Sequence, residues 1–258
     1  MPHVEIGGDR IHFVEEGPVL TDRLSPIVFL HGAGGSHQIW FPQLGALGRR
    51  RKVIALDLPG HGDSNGGGAD QIEVYRDVVK EFVAEVSLRR IVLVGHSMGG
   101  AITQSFALAY PGQLAAIVLV GTGARLRVDP KIFARLREDP RGAVDLITKG
   151  GRAAGAPAGA IEQDAEAMLR TPVAVIEGDF RACDSFDLME QVQVIGTPTL
   201  VICGTDDLMT PPKYAEYLHQ KIKGSQLALI PGAGHMVMLE KPDEVTRAIE
   251  AFLDQLGS

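Results

Sequence analysis

Five consecutive residues, Gly95-His96-Ser97-Met98-Gly99, have the types needed to present a nucleophile. A serine at a sharp strand-to-helix turn is crowded, and small residues two positions on either side relieve it. Such a turn lifts the hydroxyl above the carboxyl ends of the strands and puts the next amide at a helix N-terminus. The pattern alone is weak, and its setting gives it weight. The apolar run Ile91-Val92-Leu93-Val94 precedes it, and an Ala-rich helical stretch from Gly100 to Tyr110 follows. A serine hydroxyl is unreactive at its free pKa and needs a base, with a third group to orient that base. Downstream, two glycine-bearing loops supply an acid and then a histidine. The first is Gly204-Thr205-Asp206-Asp207-Leu208-Met209-Thr210-Pro211, with two adjacent aspartates; the second is Pro231-Gly232-Ala233-Gly234-His235. After Val120, Gly121-Thr122-Gly123 offers no acid, and Asp129 lies further on. The chemistry this predicts is attack of Ser97 on a carbonyl, with His235 taking the proton and Asp206 or Asp207 fixing the imidazole tautomer.

These loops need a scaffold that brings them to one edge. Short Val- and Ile-rich runs recur at 26–30, 52–56, 90–94, 116–120, 199–203 and 226–230, each followed by a turn. Continuous apolar runs of about five residues read as strands buried on both faces, the signature of a parallel sheet. Helical patterns lie between them. Ile72, Tyr75, Val78, Val79, Phe82 and Val86 are spaced by three and four, as are Val245, Ile249, Phe252, Leu253 and Leu256. The class is therefore α/β, with a mainly parallel central sheet and helices on both faces. The alternation breaks after Gly121. Helix-like pieces at 130–138, 141–149, 160–169 and 172–181 replace it, and Gly150 to Gly159 reads as a flexible joint. The expected organisation is a core of residues 1–121 and 196–258, interrupted by a helical cap of residues 122–195.

Composition narrows the function classes. The 258 residues are 45% hydrophobic, enough for one large core, and the net charge of −7 with no basic face demotes nucleic-acid binding. No apolar run approaches the length of a membrane span. Met1 to Ile6 shows no basic segment followed by an apolar one, so a cytoplasmic protein without a signal peptide is expected. Cys183 and Cys203 lack CxxC spacing and read as reduced, buried small hydrophobes. No His, Cys or Asp spacing suits a metal, so no metal and no cofactor is implied. His31, His61 and His96 sit in glycine-rich turns, where they are expected to satisfy backbone groups near the site.

The chain resembles the α/β-hydrolases. The matches are His31-Gly32-Ala33-Gly34-Gly35, Asp57-Leu58-Pro59-Gly60-His61-Gly62-Asp63-Ser64, the Ser97 turn, the Gly204–Pro211 loop and the His235 loop, and they span nearly the whole core. The resemblance implies the α/β-hydrolase fold and a Ser97, Asp207, His235 triad. Asp207 is selected because the family's acid is the fourth residue of G-x-x-D-x-x-x-P, with Pro211 in register; Asp206 is left as a solvated neighbour. It also implies an oxyanion hole made by the amides of Ala33 and Met98. Trp40 stands where the family often has a tryptophan; packing under the oxyanion loop is favoured there, with substrate contact as the rival. Met98, Met236 and Met238 could line an adaptable pocket or fill the core, and Met236 joins Trp40 as a candidate substrate-binding residue.

A serine at position 97 separates the chain from relatives whose turn carries an aspartate, the haloalkane dehalogenases and epoxide hydrolases. Carbon–carbon bond hydrolases share the serine and a helical cap. Their oxyanion stretch usually reads His-Gly-x-Gly-Pro-Gly-Ala, where this chain has Gly35-Ser36-His37. The implied activity is hydrolysis of small to medium carboxylic esters or lactones through an acyl-serine, with a small-molecule ester as partner. A meta-cleavage-type carbon–carbon hydrolase or a perhydrolase is the enzymatic alternative. A hydrolase-fold ligand receptor with little turnover is the alternative of a different class.

Overall fold

The computed structural model describes residues 2–18 and 24–257. Its strands are β1 (His3–Ile6), β2 (Asp9–Glu16), β3 (Ile27–Leu30), β4 (Val53–Leu56), β5 (Ile91–His96), β6 (Leu114–Val120), β7 (Thr199–Gly204) and β8 (Gln226–Ile230). They form one eight-stranded sheet in the order β1-β2-β4-β3-β5-β6-β7-β8. Every apolar run of the sequence is a strand, and from β4 to β8 all neighbours are parallel. The antiparallel β1–β2 hairpin was not anticipated. It pairs Phe13 with Leu56 at the sheet edge, and only Ile11, His12 and Phe13 of β2 are buried. β8 differs too: read as buried on both faces, it is the opposite edge strand, and Leu229 is 38% exposed.

The helices are α1 (Phe41–Leu47), α2 (Ile72–Glu85), α3 (Met98–Ala109), α4 (Pro130–Glu138), α5 (Pro140–Gly150), α6 (Ala158–Met168), α7 (Val173–Ser185), α8 (Pro212–Lys221), α9 (Val237–Glu240) and α10 (Pro242–Leu256). Alternate strand residues feed two cores, one on each face. On one, Val28, Leu30, Ile54 and Leu56 meet Tyr75, Val79 and Phe82 of α2 and Ile102 and Phe106 of α3. On the other, Phe29, Val53, Val92, Val94 and Val118 meet Leu44 of α1 and Ile249 and Phe252 of α10. Each fully buried Leu or Phe contributes roughly 1.5–3 kcal/mol of hydrophobic stabilisation. The Cys183 and Cys203 thiols are free and buried.

Helices α4 to α7 lie between β6 and β7 and share an apolar cluster that includes Leu136, Val144, Ala165, Ile176 and Phe180. Arg141 joins α5 to α6 through Glu162 and Glu166, and Arg137 joins α4 to Glu177 of α7. The last turns of α7 leave this cluster, since Ala182 and Cys183 pack into the main core. The predicted joint at 150–159 is only partly open. α5 runs through Gly150, and the residues after it are fastened to the neighbouring loop described below.

The parallel registers decide what meets at the carboxyl edge. Leu30 is level with Leu56 and with Gly95, Val120 with Ile202, and Gly204 with Ile230. The chain thus leaves β3, β4, β5, β7 and β8 on one side, sending out the loops that carry His31, Asp57, Ser97, Asp207 and His235.

Candidate active site

Ser97 joins β5 directly to α3, with no residue to spare, and takes φ 52°, ψ −114°. A non-glycine residue there costs on the order of 1–3 kcal/mol and persists only where the surroundings over-determine it. They do so here. The Ser97 amide donates to the Val120 carbonyl at 2.9 Å, and its own carbonyl accepts from the Gly100 amide at 2.9 Å and the Thr122 hydroxyl at 2.8 Å. A Cβ at position 95 would overlap the Gly99 carbonyl, and one at 99 would lie 2.6 Å from the carbonyl oxygens of Leu30 and His31. The glycine spacing around Ser97 is therefore a packing requirement. Met98 opens α3, so its amide lacks an intrahelical partner, while its side chain is buried in the core.

Asp207 and His235 are brought into contact. His235 Nδ1–H donates to Asp207 Oδ2 at 2.9 Å, and both residues are buried. The Asp207 carboxylate is held by three further donors: the Met209 amide at 2.9 Å and the Thr210 amide at 2.8 Å on Oδ1, and the Thr210 hydroxyl at 2.8 Å on Oδ2. Burial alone would push this carboxyl up; the charge and hydrogen bond of His235, with the two hydrogen bonds from Thr210, outweigh burial and hold it below the ordinary carboxylate range. An ionised Asp207 keeps the shared proton on Nδ1 and leaves Nε2 as the acceptor. Asp206 is exposed and accepts the Thr205 hydroxyl at 2.9 Å. Asp129 caps α4 by accepting the Lys131 amide.

The His96 ring stacks against that of His235 at 4.6 Å, and its Nε2–H donates to the His235 carbonyl at 3.0 Å. Burial, followed by the neighbouring His235, holds His96 well below the usual imidazole range, so it stays neutral. His31 is also neutral: burial, then the charge of His61, lowers it to about 4. Its Nδ1–H donates to the Gly32 carbonyl at 2.8 Å, and its Nε2 accepts the Leu58 amide at 3.1 Å.

A cavity of about 110 Å³ opens at this edge. Its wall carries Ser97, His235 and Ala33 together with Ile39, Ile147, Met168, Phe180, Met209 and Met236. Trp40 does not reach it. The short helical turn His37–Trp40 directs the indole inward, where it is wholly buried 4.8 Å from the Phe29 ring, so it leaves the substrate-binding set. Met238 is likewise core, and Met236 faces the cavity.

Residues 27–248 match the family model described as "Alpha/beta hydrolase family". The chain belongs to the alpha/beta hydrolase family. It is similar to a structurally characterised thermophilic esterase, 36% identical with a TM-score of 0.88, over 99% of this chain and 98% of that one. It is also similar to a putative carbamate hydrolase, RutD of Rhizobium rhizogenes, at 29% identity over 94% of this chain and 97% of that protein. The enol-lactonase of Burkholderia xenovorans LB400 shares the fold, with a TM-score of 0.91 at 23% identity over 98% and 100% of the two chains. No described helix is long and apolar enough to cross a membrane.

Several polar groups of this α/β-hydrolase site escaped the sequence reading. Glu240 accepts the Gly234 amide at 3.1 Å and the Ala153 amide at 3.0 Å, tying the His235 loop to the segment after α5. There Arg152 makes a bidentate pair with Asp164, at 2.6 and 2.8 Å, and Asp164 lines the cavity. Asp179 of α7 is fully buried and accepts the Gly34 amide at 2.8 Å. An aspartate on the face shared by Ile176 and Cys183 was the available signal. His12, His37 and Asp57 also gather closely enough to invite a metal. However, four N–H groups converge on the Asp57 carboxylate: the amides of His37 and Asp63 and the Nδ1–H groups of His12 and His37. That donor set suits an anion anchoring β2 and the loops after β3 and β4, and does not suit a cation.

Proposed function

We propose that this protein is a serine hydrolase that cleaves carboxylic esters, small to medium acyl esters or lactones, through an acyl-serine at Ser97. One observation carries the reading. Ser97, at a strained strand-to-helix turn, and His235, hydrogen-bonded to the buried Asp207, belong to the wall of the same cavity. Similarity to an esterase supports it.

In this reading Ser97 Oγ attacks the carbonyl carbon while His235 Nε2 takes its proton, and Asp207 stabilises the imidazolium. The carbonyl oxygen becomes an oxyanion that accepts hydrogen bonds from the Ala33 and Met98 amides, each donor being worth about 3 kcal/mol in such sites. Collapse breaks the ester C–O bond, and His235 returns the proton to the departing alcohol. Water then attacks the acyl-serine with His235 again as base, releasing the carboxylic acid and restoring Ser97. Helices α4 to α7 act as a cap, residues 122–195, over a core of residues 1–121 and 196–258. The apolar wall favours an uncharged acyl group. The carboxylate in that wall, Asp164, is already neutralised by Arg152, so a substrate carboxylate finds no free cation among the described residues that line it.

The test is turnover of p-nitrophenyl butyrate by Ser97→Ala, beside a vinylogous diketone as the carbon–carbon substrate. Loss of ester turnover below about 0.1% of the wild type is expected. Undiminished turnover, or preference of the wild type for the diketone, overturns the reading.

A further inference from the structure

Asp179 is carried by α7, yet the three hydrogen-bond donors that reach it among the described residues belong to the core. Oδ2 accepts the Gly34 amide at 2.8 Å and His61 Nε2–H at 2.7 Å, and Oδ1 accepts the Tyr75 hydroxyl at 2.5 Å. The carboxylate therefore joins the loop after β3, the loop after β4 and α2. Gly34 directly follows Ala33. It sits in the left-handed region at φ +64°, where a Cβ would stand 3.0 Å from Met168 Cγ. Its carbonyl accepts the Thr171 hydroxyl at 3.3 Å. Both polar groups of Gly34 are thus held by side chains between β6 and β7.

His61 completes the arrangement. Its Nδ1 lies 3.0 Å from the Pro59 carbonyl and its Nε2 lies 2.7 Å from the Asp179 carboxylate. With Asp179 ionised, neither partner has a proton to give, both ring nitrogens donate and the ring is an imidazolium. Burial opposes this charge, but the Asp179 carboxylate and the Pro59 carbonyl outweigh it and raise His61 above the usual imidazole range. The groups facing His61 are Asp179 from α7, Tyr75 from α2 at 6.3 Å between ring centroids, the neutral His31 ring at 4.7 Å, and the more distant Asp57 carboxylate.

We propose that Asp179 is a positioning residue for ester hydrolysis at Ser97: paired with the His61 imidazolium, it fixes the Gly34 amide and so sets the Ala33 amide that receives the oxyanion. The cap then supplies part of the catalytic geometry as well as covering the cavity. Charge-assisted hydrogen bonds to a buried carboxylate are stronger and more directional than neutral ones. An oxyanion donor displaced by a fraction of an ångström loses part of the 10²–10³-fold that such a donor contributes to kcat. The proposal rests on the serine-esterase reading above.

The experiment is steady-state kinetics of Asp179→Asn on p-nitrophenyl butyrate from pH 6 to 10. Rates are normalised to the sites titrated by a fluorophosphonate, with Ser97→Ala alongside. The isosteric amide keeps the volume and removes the charge. The expected result is a kcat lowered about 10- to 100-fold with KM changed less than about threefold, and weaker binding of an alkylboronic acid by the same factor. The wild-type kcat should also fall on the alkaline side as His61 gives up its proton. Tyr75→Phe, which removes one donor from Oδ1 and leaves Gly34 bonded, serves if the asparagine variant folds poorly; its kcat should fall about 2- to 10-fold. Wild-type kcat and pH profile per titrated site in both variants overturn the proposal, as does a loss confined to KM. If Ser97→Ala stays active, the esterase reading fails instead.

Discussion

Replacing Asp164 with alanine should convert a wall that excludes anions into one that binds them. In the native cavity the Asp164 carboxylate takes both Nε and Nη2 of Arg152, and the two side chains are 15% and 9% exposed. Removing it leaves two guanidinium N–H groups unpaired beside an apolar chamber of about 110 Å³. A substrate carboxylate that reaches them gains a charge-assisted contact worth about 1.5–3 kcal/mol, which is roughly 10- to 150-fold in relative specificity. The variant should also lose stability, by less than the ~3–5 kcal/mol of breaking a fully buried pair, because cavity water solvates the freed cation. The assay compares kcat/KM for p-nitrophenyl butyrate with that for mono-p-nitrophenyl succinate, in wild type and Asp164→Ala, at low and high salt. The ratio should swing toward the succinate ester in the variant, and salt should shrink the swing. A folded variant whose ratio is unchanged at both ionic strengths would show that Arg152, once freed, does not recruit a substrate carboxylate.

Two further substitutions test the scaffold. Gly99→Ala puts a methyl group 2.6 Å from the backbone carbonyl oxygens of Leu30 and His31, so it should cost about 3 kcal/mol or more, seen as a fall in Tm of roughly 6–12 °C; a Tm within about 2 °C of wild type contradicts the tight packing at this position. Thr210→Val removes the hydroxyl that donates to Asp207 Oδ2 at 2.8 Å while keeping the residue's shape. It should cost about 1.5–3 kcal/mol in urea unfolding at neutral pH. The folded Asp207 carboxyl titrates below its unfolded value, so its contribution is present above pH ~3.9 and is lost as pH falls through the lower folded value. Thr210→Val raises that folded value, and acid unfolding should begin at higher pH than in wild type. His61 has the opposite sign. The folded state holds its proton more tightly, so its contribution is complete below pH ~6.5 and is lost as pH rises through the raised folded value.

The central sheet was legible because a strand covered on both faces must be apolar at every position, as at Ile27–Leu30 and Leu114–Val120. The β1–β2 hairpin lacks that signal, because one side of an edge pair faces water and its buried residues include His12. α1 was hidden by Pro42 and Gly45 within seven residues. Ser97, Asp207 and His235 stood out because each lies in a short glycine-bearing loop after a strand, so local types carried the information. Asp179 had no such local cue. Its partners Gly34, His61 and Tyr75 are 145, 118 and 104 residues away in the chain, and only the fold brings them together. The 150–159 stretch misled for a related reason. Small residues there suggested freedom, whereas the Arg152–Asp164 pair and the bond from the Ala153 amide to Glu240 fix its first part.

A covalent acyl group at Ser97 is the step on which the proposed chemistry turns. Rapid acid quenching of a p-nitrophenyl ester reaction, followed by intact mass and peptide mapping, reads that intermediate directly. A mass increase equal to the acyl group is expected on the peptide containing Ser97, absent in Ser97→Ala. Product formation by the wild type with an acyl group trapped on another residue, or an undiminished adduct in Ser97→Ala, would contradict it.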